Sequence, residues 1–435
     1  MLIRKLHLLT FLIALPLSAI AAESGGSITL ADALARTLRG SPELAAYNYE
    51  LRAAEARILQ AGLRPNPELS LDIESPTGTG QFKDGSQSQN TLALSQLIEL
   101  GGKRPARIFE AEAGRALIEW EYQVKRVEVL KTATLVFIDA LAAQRRLELA
   151  EEVVKVSGEA VTVTDQRVVI GKASAVESIR AKVAVSSARI EIEQAQRDLA
   201  IARGNLAAQW GAKKADFLEV RGELDRHQPG PSIQTLRERL LGNPSLARWT
   251  AERERREMTL AKQQTLARPD ITLMAGPRTF GREPDTTFVL GFSLPLPFSN
   301  RNQGNIAEAR ANLAKLDEEK RAAEARAFAA LNEAYQKNTG ALREIDILEE
   351  SVIPGAEEAE KQLNDGYAAG RFTQFEVLDA RRTLNAARVQ QLRAHADFLK
   401  ARAELDALTA RAAELPRPLS VTKPIPAKPA RAKRK

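Results

Sequence analysis

Residues 115–157 read RALIEWEYQVKRVEVLKTATLVFIDALAAQRRLELAEEVVKVS and hold neither glycine nor proline. Within and around this stretch, apolar side chains recur at steps of three and four: Phe109, Ala113, Ala116, Trp120, Val124, Val127 and Leu130, then Phe137 and Leu141. That is the period of a helix burying one stripe against partner helices. It predicts a single helix from about Gly102 to a turn at Gly171. At 1.5 Å per residue, a rod of roughly 65 residues spans on the order of 95 Å. An ordinary globular domain has no use for such a length. A second rod is predicted from near Asn305 to past Ile353.

Upstream of each rod the period changes to two. Leu69, Leu71 and Ile73 alternate with Ser70, Asp72 and Glu74, and Leu92, Leu94, Ile98 and Leu100 share one face of the next segment. Before the second rod, Phe288, Leu290, Phe292, Leu294, Leu296 and Phe298 alternate with Thr287, Val289, Gly291, Ser293, Pro295 and Pro297. Strands of about ten residues with one apolar face have the length of barrel staves in a bilayer. Four strands cannot close a barrel, and lipid does not tolerate an open sheet edge. Several chains must then share one barrel. The connections Ser75–Asn90 and Gly276–Asp285 read as its outer loops.

The body repeats itself, as expected of a tandem duplication. Ser41-Pro42-Glu43-Leu44 returns as Asn243-Pro244-Ser245-Leu246, and Pro67-Glu68-Leu69-Ser70-Leu71 as Pro269-Asp270-Ile271-Thr272-Leu273, both at an offset of 202. Gly171 and Ala181 return as Gly370 and Ala380 at an offset of 199. Short amphipathic helices precede each copy at Leu30–Leu38 and Ile233–Leu241. The expected division is a signal peptide over 1–22, repeats over 23–222 and 223–415, and a basic tail without fixed structure over 416–435. The signal rests on Arg4 and Lys5 ahead of the apolar run Leu6–Ile20, closed by Ala19-Ile20-Ala21.

Composition excludes most chemistry. There is no cysteine, hence no disulfide, thiolate metal site or lipid-modified cysteine, and only three histidines, His7, His227 and His395. Phosphate-binding glycine loops and His-Glu-x-x-His are absent, and Gly78-Thr79-Gly80 reads as a loop tip. No catalytic constellation, cofactor site or metal site is expected. The net charge of +7 does not indicate a nucleic-acid partner, because seven uncompensated cations lie in residues 416–435 and two in the signal, leaving residues 23–415 at −2.

Four stretches in this order resemble the TolC family of outer-membrane efflux channels, over essentially all of residues 27–415. They are Leu94-Ser95-Gln96-Leu97-Ile98-Glu99-Leu100-Gly101-Gly102-Lys103-Arg104, Phe292-Ser293-Leu294-Pro295-Leu296-Pro297-Phe298, and the turns beginning Gly171-Lys172-Ala173-Ser174 and Gly370-Arg371-Phe372-Thr373. The first looks most like the CzcC-like branch, which serves heavy-metal exporters of the resistance-nodulation-division type. Many CzcC-like relatives are lipid-anchored through a cysteine that this sequence lacks. The resemblance implies a mainly α fold with a small β part: a duplicated protomer, four strands of a trimeric twelve-stranded outer-membrane barrel, and a long helical barrel in the periplasm. It implies a passive exit duct, working with a periplasmic adaptor and an inner-membrane pump. The alternatives are a channel for drugs or for type I protein secretion. From other classes, an exported coiled coil would not need four alternating strands, and an enzyme would need a reactive group that the sequence does not offer.

The resemblance also implies roles for the two turns. Gly171, Ala173, Gly370 and Thr373 are expected to dock the adaptor, with glycine permitting positive φ. Tyr367, Glu177, Glu376 and Asp379 are expected to form the periplasmic gate, with Tyr367 hydrogen-bonded to Glu177 across neighbouring helix pairs. Glu376 and Asp379 are three apart and so share a helix face. In a trimer they would form stacked acid rings whose mutual repulsion raises their pKa values and favours cations. Phe372 stands where the family has a candidate gate arginine, and Glu177 where aspartate is common, so part of that lock is expected to be missing.

Overall fold

The computed structural model describes residues 26–85, 87–225, 229–281 and 285–411. The expected signal and basic tail lie outside them, as does His227. The chain begins with β1 (Ser27–Thr29), α1 (Leu30–Gly40) and α2 (Pro42–Ala61). Thr29 and Asp32 form a capping box on α1, and Ser41 caps α2 with Pro42 in its first turn, where a missing N–H costs nothing. Then come β2 (Glu68–Glu74), β3 (Gln89–Ile98), α3 (Lys103–Val169), α4 (Ala175–Ala208) and β4 (Glu219–Arg221). The order returns as α5 (Ile233–Leu240), α6 (Pro244–Leu266), β5 (Ile271–Phe280), β6 (Thr286–Ser293), α7 (Gln303–Ile347), α8 (Ile353–Ala368) and α9 (Gln374–Thr409). Asn243 and Pro244 open α6 as Ser41 and Pro42 open α2.

The first rod is α3, 67 residues without a break. The second is not uniform: Leu348–Val352 between α7 and α8 is π-helical. Pro354 has no N–H for the carbonyl four residues back, and the segment before it widens accordingly. No helix among the described residues is long and apolar enough to cross a membrane.

The four predicted strands form one antiparallel sheet in the order β2-β3-β5-β6. Leu69, Leu94, Ala275 and Leu290 line up across it, and Leu71 faces Leu92. This apolar face is bare: Leu69 is 70% exposed and Leu290 76%. The opposite face carries the row Asp72, Thr91, Arg278 and Thr287. There the Arg278 guanidinium donates to Thr91 Oγ1 at 2.9 Å and Gln89 Oε1 at 3.1 Å.

Two boundaries differ from expectation. β6 ends at Ser293 rather than Phe298, because Pro295 and Pro297 have no N–H for a ladder. The loop expected from Gly276 begins five residues later, since β5 runs to Phe280. Gly276 is there for close approach, not for a turn: a Cβ on it would stand 1.9 Å from the Leu92 carbonyl oxygen.

Both rods leave the sheet through a left-handed residue, Gly102 (φ 78°) before α3 and Asn302 (φ 58°) before α7. Asp270 braces the first junction, bonding Lys103 Nζ at 2.7 Å and accepting from the Leu100 N–H at 2.9 Å. Asn302 braces the second by donating to the Gln263 carbonyl at 2.7 Å. The largest core lies midway along the rods, where Ile28, Phe137, Leu141, Leu206, Phe217 and Val220 are buried together. The short parallel pair β1–β4, three residues in each strand, belongs to it and has no counterpart in the expected elements. A second cluster joins Leu236 and Leu240 of α5 to Leu246, Leu331 and Leu405. α1 enters the first cluster through Leu30 and Ala33, and α5 packs on α7 and α9.

Candidate functional site

The two helical turns, far from the sheet along the rods, are built alike. Gly171 (φ 70°) and Gly370 (φ 77°) are left-handed. After α3, the N–H of Lys172 reaches the Arg167 carbonyl at 2.8 Å and that of Gly171 the Val168 carbonyl at 3.0 Å. After α8, Arg371 reaches Gly366 at 2.8 Å and Gly370 reaches Tyr367 at 3.0 Å. This pair of bonds satisfies the last carbonyls of a helix and needs a residue free to adopt positive φ. Each following helix starts with a capping box. Ser174 and Glu177 exchange bonds at 3.1 and 3.3 Å, and Thr373 with its N–H and hydroxyl reaches Glu376 at 2.7 and 2.9 Å.

In the single chain these residues have other partners. Glu177 bonds Ser174, and the buried Tyr367 hydroxyl has no hydrogen-bond partner among the described residues. The Thr373 backbone N–H, and then its hydroxyl, hold the Glu376 carboxyl of the single chain below the ordinary range. Asp379 is exposed one turn further along α9. Thr373 is the N-cap of α9, matched in the other turn by Ser174, whereas Ala173 is matched by Phe372. The Phe372 ring lies over Gly366, where a Cβ would stand 2.2 Å from it.

The tips also touch each other. The Arg167 guanidinium of α3 stacks on the Tyr367 ring of α8 at 4.3 Å and donates to the Ala368 carbonyl at 3.5 Å. Arg180 of α4 lies 5.9 Å from the Phe375 ring of α9. Tyr367 is 7% exposed. Neither arginine was singled out from the sequence, because nothing in one sequence pairs residues 195 to 200 positions apart.

Within each hairpin, charged pairs pin the two helices near the tip. Asp165 of α3 accepts from the Ser178 hydroxyl and pairs with Lys182 at 3.1 Å; these, the hydroxyl first, depress its pKa. Arg381 of α9, the counterpart of Lys182, pairs with Glu360 of α8 at 2.9 Å. His395 is buried on α9 with Nε2 3.4 Å from Glu349 in the π segment. Among the described residues no group of three or more His, Cys, Asp or Glu is arranged to hold a metal. What the geometry offers is walls: a sheet with a bare apolar face, long helices and turns at their far end.

The outer membrane efflux protein family matches residues 33–212 and 235–411. The chain belongs to that family. It is 31% identical to the cobalt-zinc-cadmium resistance protein CzcC of Cupriavidus metallidurans over 370 residues, covering 85% of this chain and 87% of that one. It is 27% identical to the nickel-cobalt-cadmium resistance protein NccC of Alcaligenes xylosoxydans xylosoxydans, over 65% of each chain. The outer membrane protein VceC of Vibrio cholerae has the same fold, with a TM-score of 0.72 at 19% identity, covering 88% of this chain and 96% of that one. As an outer membrane efflux protein, the chain is an exit duct of the outer membrane whose helices extend as a tunnel into the periplasm. The bare face of the sheet is its lipid side.

Proposed function

We propose that this chain forms the exit duct of a tripartite system that expels divalent heavy-metal cations, and that it works as a homotrimer. The observation that carries assembly is the sheet itself. β2 and β6 are both open edges of a sheet whose apolar face is bare. Lipid penalises each unpaired backbone group, so the edges must be closed by further copies. Three copies of four strands give twelve, and closed rotational symmetry is the usual solution for identical chains.

The metal cargo rests on CzcC and NccC, whose names state it for them. The duct is passive and not an enzyme; a periplasmic adaptor and an inner-membrane pump of the resistance-nodulation-division type supply the coupling. The adaptor docks at the turns Gly171–Val176 and Gly370–Phe375, and the gate lies beside them at Tyr367, Glu177, Glu376 and Asp379. The chain divides into a signal (1–22), two repeats (23–222 and 223–415) and a basic tail (416–435). Deleting the gene and scoring tolerance to cobalt, zinc, cadmium, nickel and a panel of drugs tests the cargo. Sensitivity to drugs with unchanged metal tolerance would transfer the reading to drug efflux. Secretion defects alone would transfer it to protein export. The mass of the detergent-purified assembly tests the trimer.

A further inference from the structure

The helices join the sheet at four places, and an arginine stands at each. Arg64 lies between α2 and β2, and Arg104 is the second residue of α3, just behind β3. Arg268 lies between α6 and β5, and Arg301 between β6 and α7. An exposed apolar residue precedes each arginine by one to four positions: Leu63, Leu100, Leu266 and Phe298. At this level, on the periplasmic side, the bare apolar face of the sheet gives way to helices.

The other charges at this level are satisfied within the chain or face elsewhere. Lys103 pairs with Asp270 at 2.7 Å, and Arg107 pairs with Glu99. Glu68 opens β2 on the face of Asp72, opposite the apolar one. The four junction arginines make no ion pair among the described residues. Arg301 donates its Nε to the Pro297 carbonyl at 3.2 Å. Arg64, Arg268 and Arg301 are exposed, and Arg104 is half-buried. Gly101 makes room for the Arg268 stem, since a Cβ there would stand 2.4 Å from the Arg268 Cδ. A packed stem with its guanidinium in water is how arginine sits at the edge of a bilayer.

We propose that these four arginines form a collar that binds the phosphate groups of anionic phospholipids in the inner leaflet of the outer membrane. The collar deepens the outer-membrane reading and rests on it. Level and charge together select this partner. The arginines close an apolar band, and a guanidinium grips a phosphate through two parallel N–H bonds. Unlike Arg107, none of them has a carboxylate to displace first. Three copies of four arginines put one at every junction of a closed barrel. Each arginine near an anionic surface is worth roughly fivefold in binding. The ring thereby fixes the depth at which the sheet sits.

The experiment is native mass spectrometry of the purified full-length assembly, counting bound phosphatidylglycerol and phosphatidylcholine of the same acyl chains. Heat-modifiable gel migration selects folded preparations. Wild type should prefer phosphatidylglycerol by about tenfold or more, and salt at about 0.5 M should erase most of that preference. Arg64→Gln with Arg268→Gln and Arg301→Gln should lose the preference and keep the weak binding of phosphatidylcholine. Arg57→Gln, which removes a cation paired with Glu50 inside α2 at 2.8 Å, should bind like wild type. Should the triple variant not fold, its three single variants should each lose about fivefold. Equal binding of the two lipids by wild type would overturn the collar, as would wild-type preference in the triple variant or in all three single ones. An equal loss in Arg57→Gln would also overturn it, leaving only diffuse charge. A folded wild type that inserts into vesicles of neither lipid removes the outer-membrane reading and the collar together; insertion without lipid preference removes the collar alone.

Discussion

Gln144 clasps Val220 from both sides. Its side-chain amide accepts from the Val220 N–H at 2.9 Å and donates to the Val220 carbonyl at 3.2 Å, so a side chain of α3 stands in for a strand partner of β4. The clasp fixes the short β1–β4 pair to the middle of the longest helix, beside Phe137 and Leu141. Gln144→Ala strands two partly buried backbone groups and should cost ~1–3 kcal/mol. Thermal unfolding of the purified assembly measures it. Gln144→Glu keeps an acceptor for the Val220 N–H but sets a carboxylate oxygen against the Val220 carbonyl, and should be destabilising as well.

Two glycines predict opposite outcomes for one substitution. Gly276→Ala would set a methyl group 1.9 Å from the Leu92 carbonyl oxygen in the middle of the sheet. The variant should fail to give a heat-modifiable barrel. Gly204, inside α4 with nothing within 4 Å of a Cβ, should accept alanine and gain about 0.5–1 kcal/mol from helix propensity. The same thermal measurement checks the second outcome.

The capping carboxylates set an acid limit for the tips. Glu376 has a folded pKa below its ordinary 4.5, through the Thr373 N–H and hydroxyl. A depressed acid stabilises fully above the unfolded value and loses that contribution as pH falls through the folded value. Asp165 behaves in the same way from 3.8, through Ser178 and Lys182. Limited proteolysis near residues 370–376 should therefore be flat from pH 7 to about 5 and rise below the unfolded value of 4.5. In Glu376→Gln, cleavage at pH 7 should be higher and its acid dependence at this turn lost.

Docking at the tips needs a substitution that leaves the caps intact. Thr373 is unsuitable, since its side chain holds the start of α9. Ala173 is half buried in its turn, and its side chain, unlike that of Thr373, takes no part in capping. Ala173→Trp should abolish metal tolerance in cells while the amount of assembled protein stays at the wild-type level. Full tolerance in that variant would remove this turn from the docking surface.

The parts legible in the sequence are those with a local signature. A period of three to four over residues 109–141 needed no partner to be read as a rod, and alternation over 69–74 gave β2 directly. The glycines of both turns announced their positive φ. Proline acts in both directions: Pro295 and Pro297 stop β6, while Pro277 is tolerated inside β5 because the ladder is interrupted beside it. The strands β1 and β4 are three residues each, too short to carry a period. At the tips, Glu177 and Glu376 stand three after Ser174 and Thr373, a spacing that signals a capping box. Arg167 and Arg180 acquire meaning only from a fold that brings distant tips together.

The π segment at Leu348–Val352 makes the two copies mechanically unlike. α3 is a strut: a push at its tip travels through 67 residues of unbroken helix to the Lys103–Asp270 brace at the sheet. In the other arm Pro354 removes a backbone bond beside the π turn, the kind of break at which helices kink. Two limbs built in the same order therefore differ as columns: one is continuous, and the other carries a joint at a single proline.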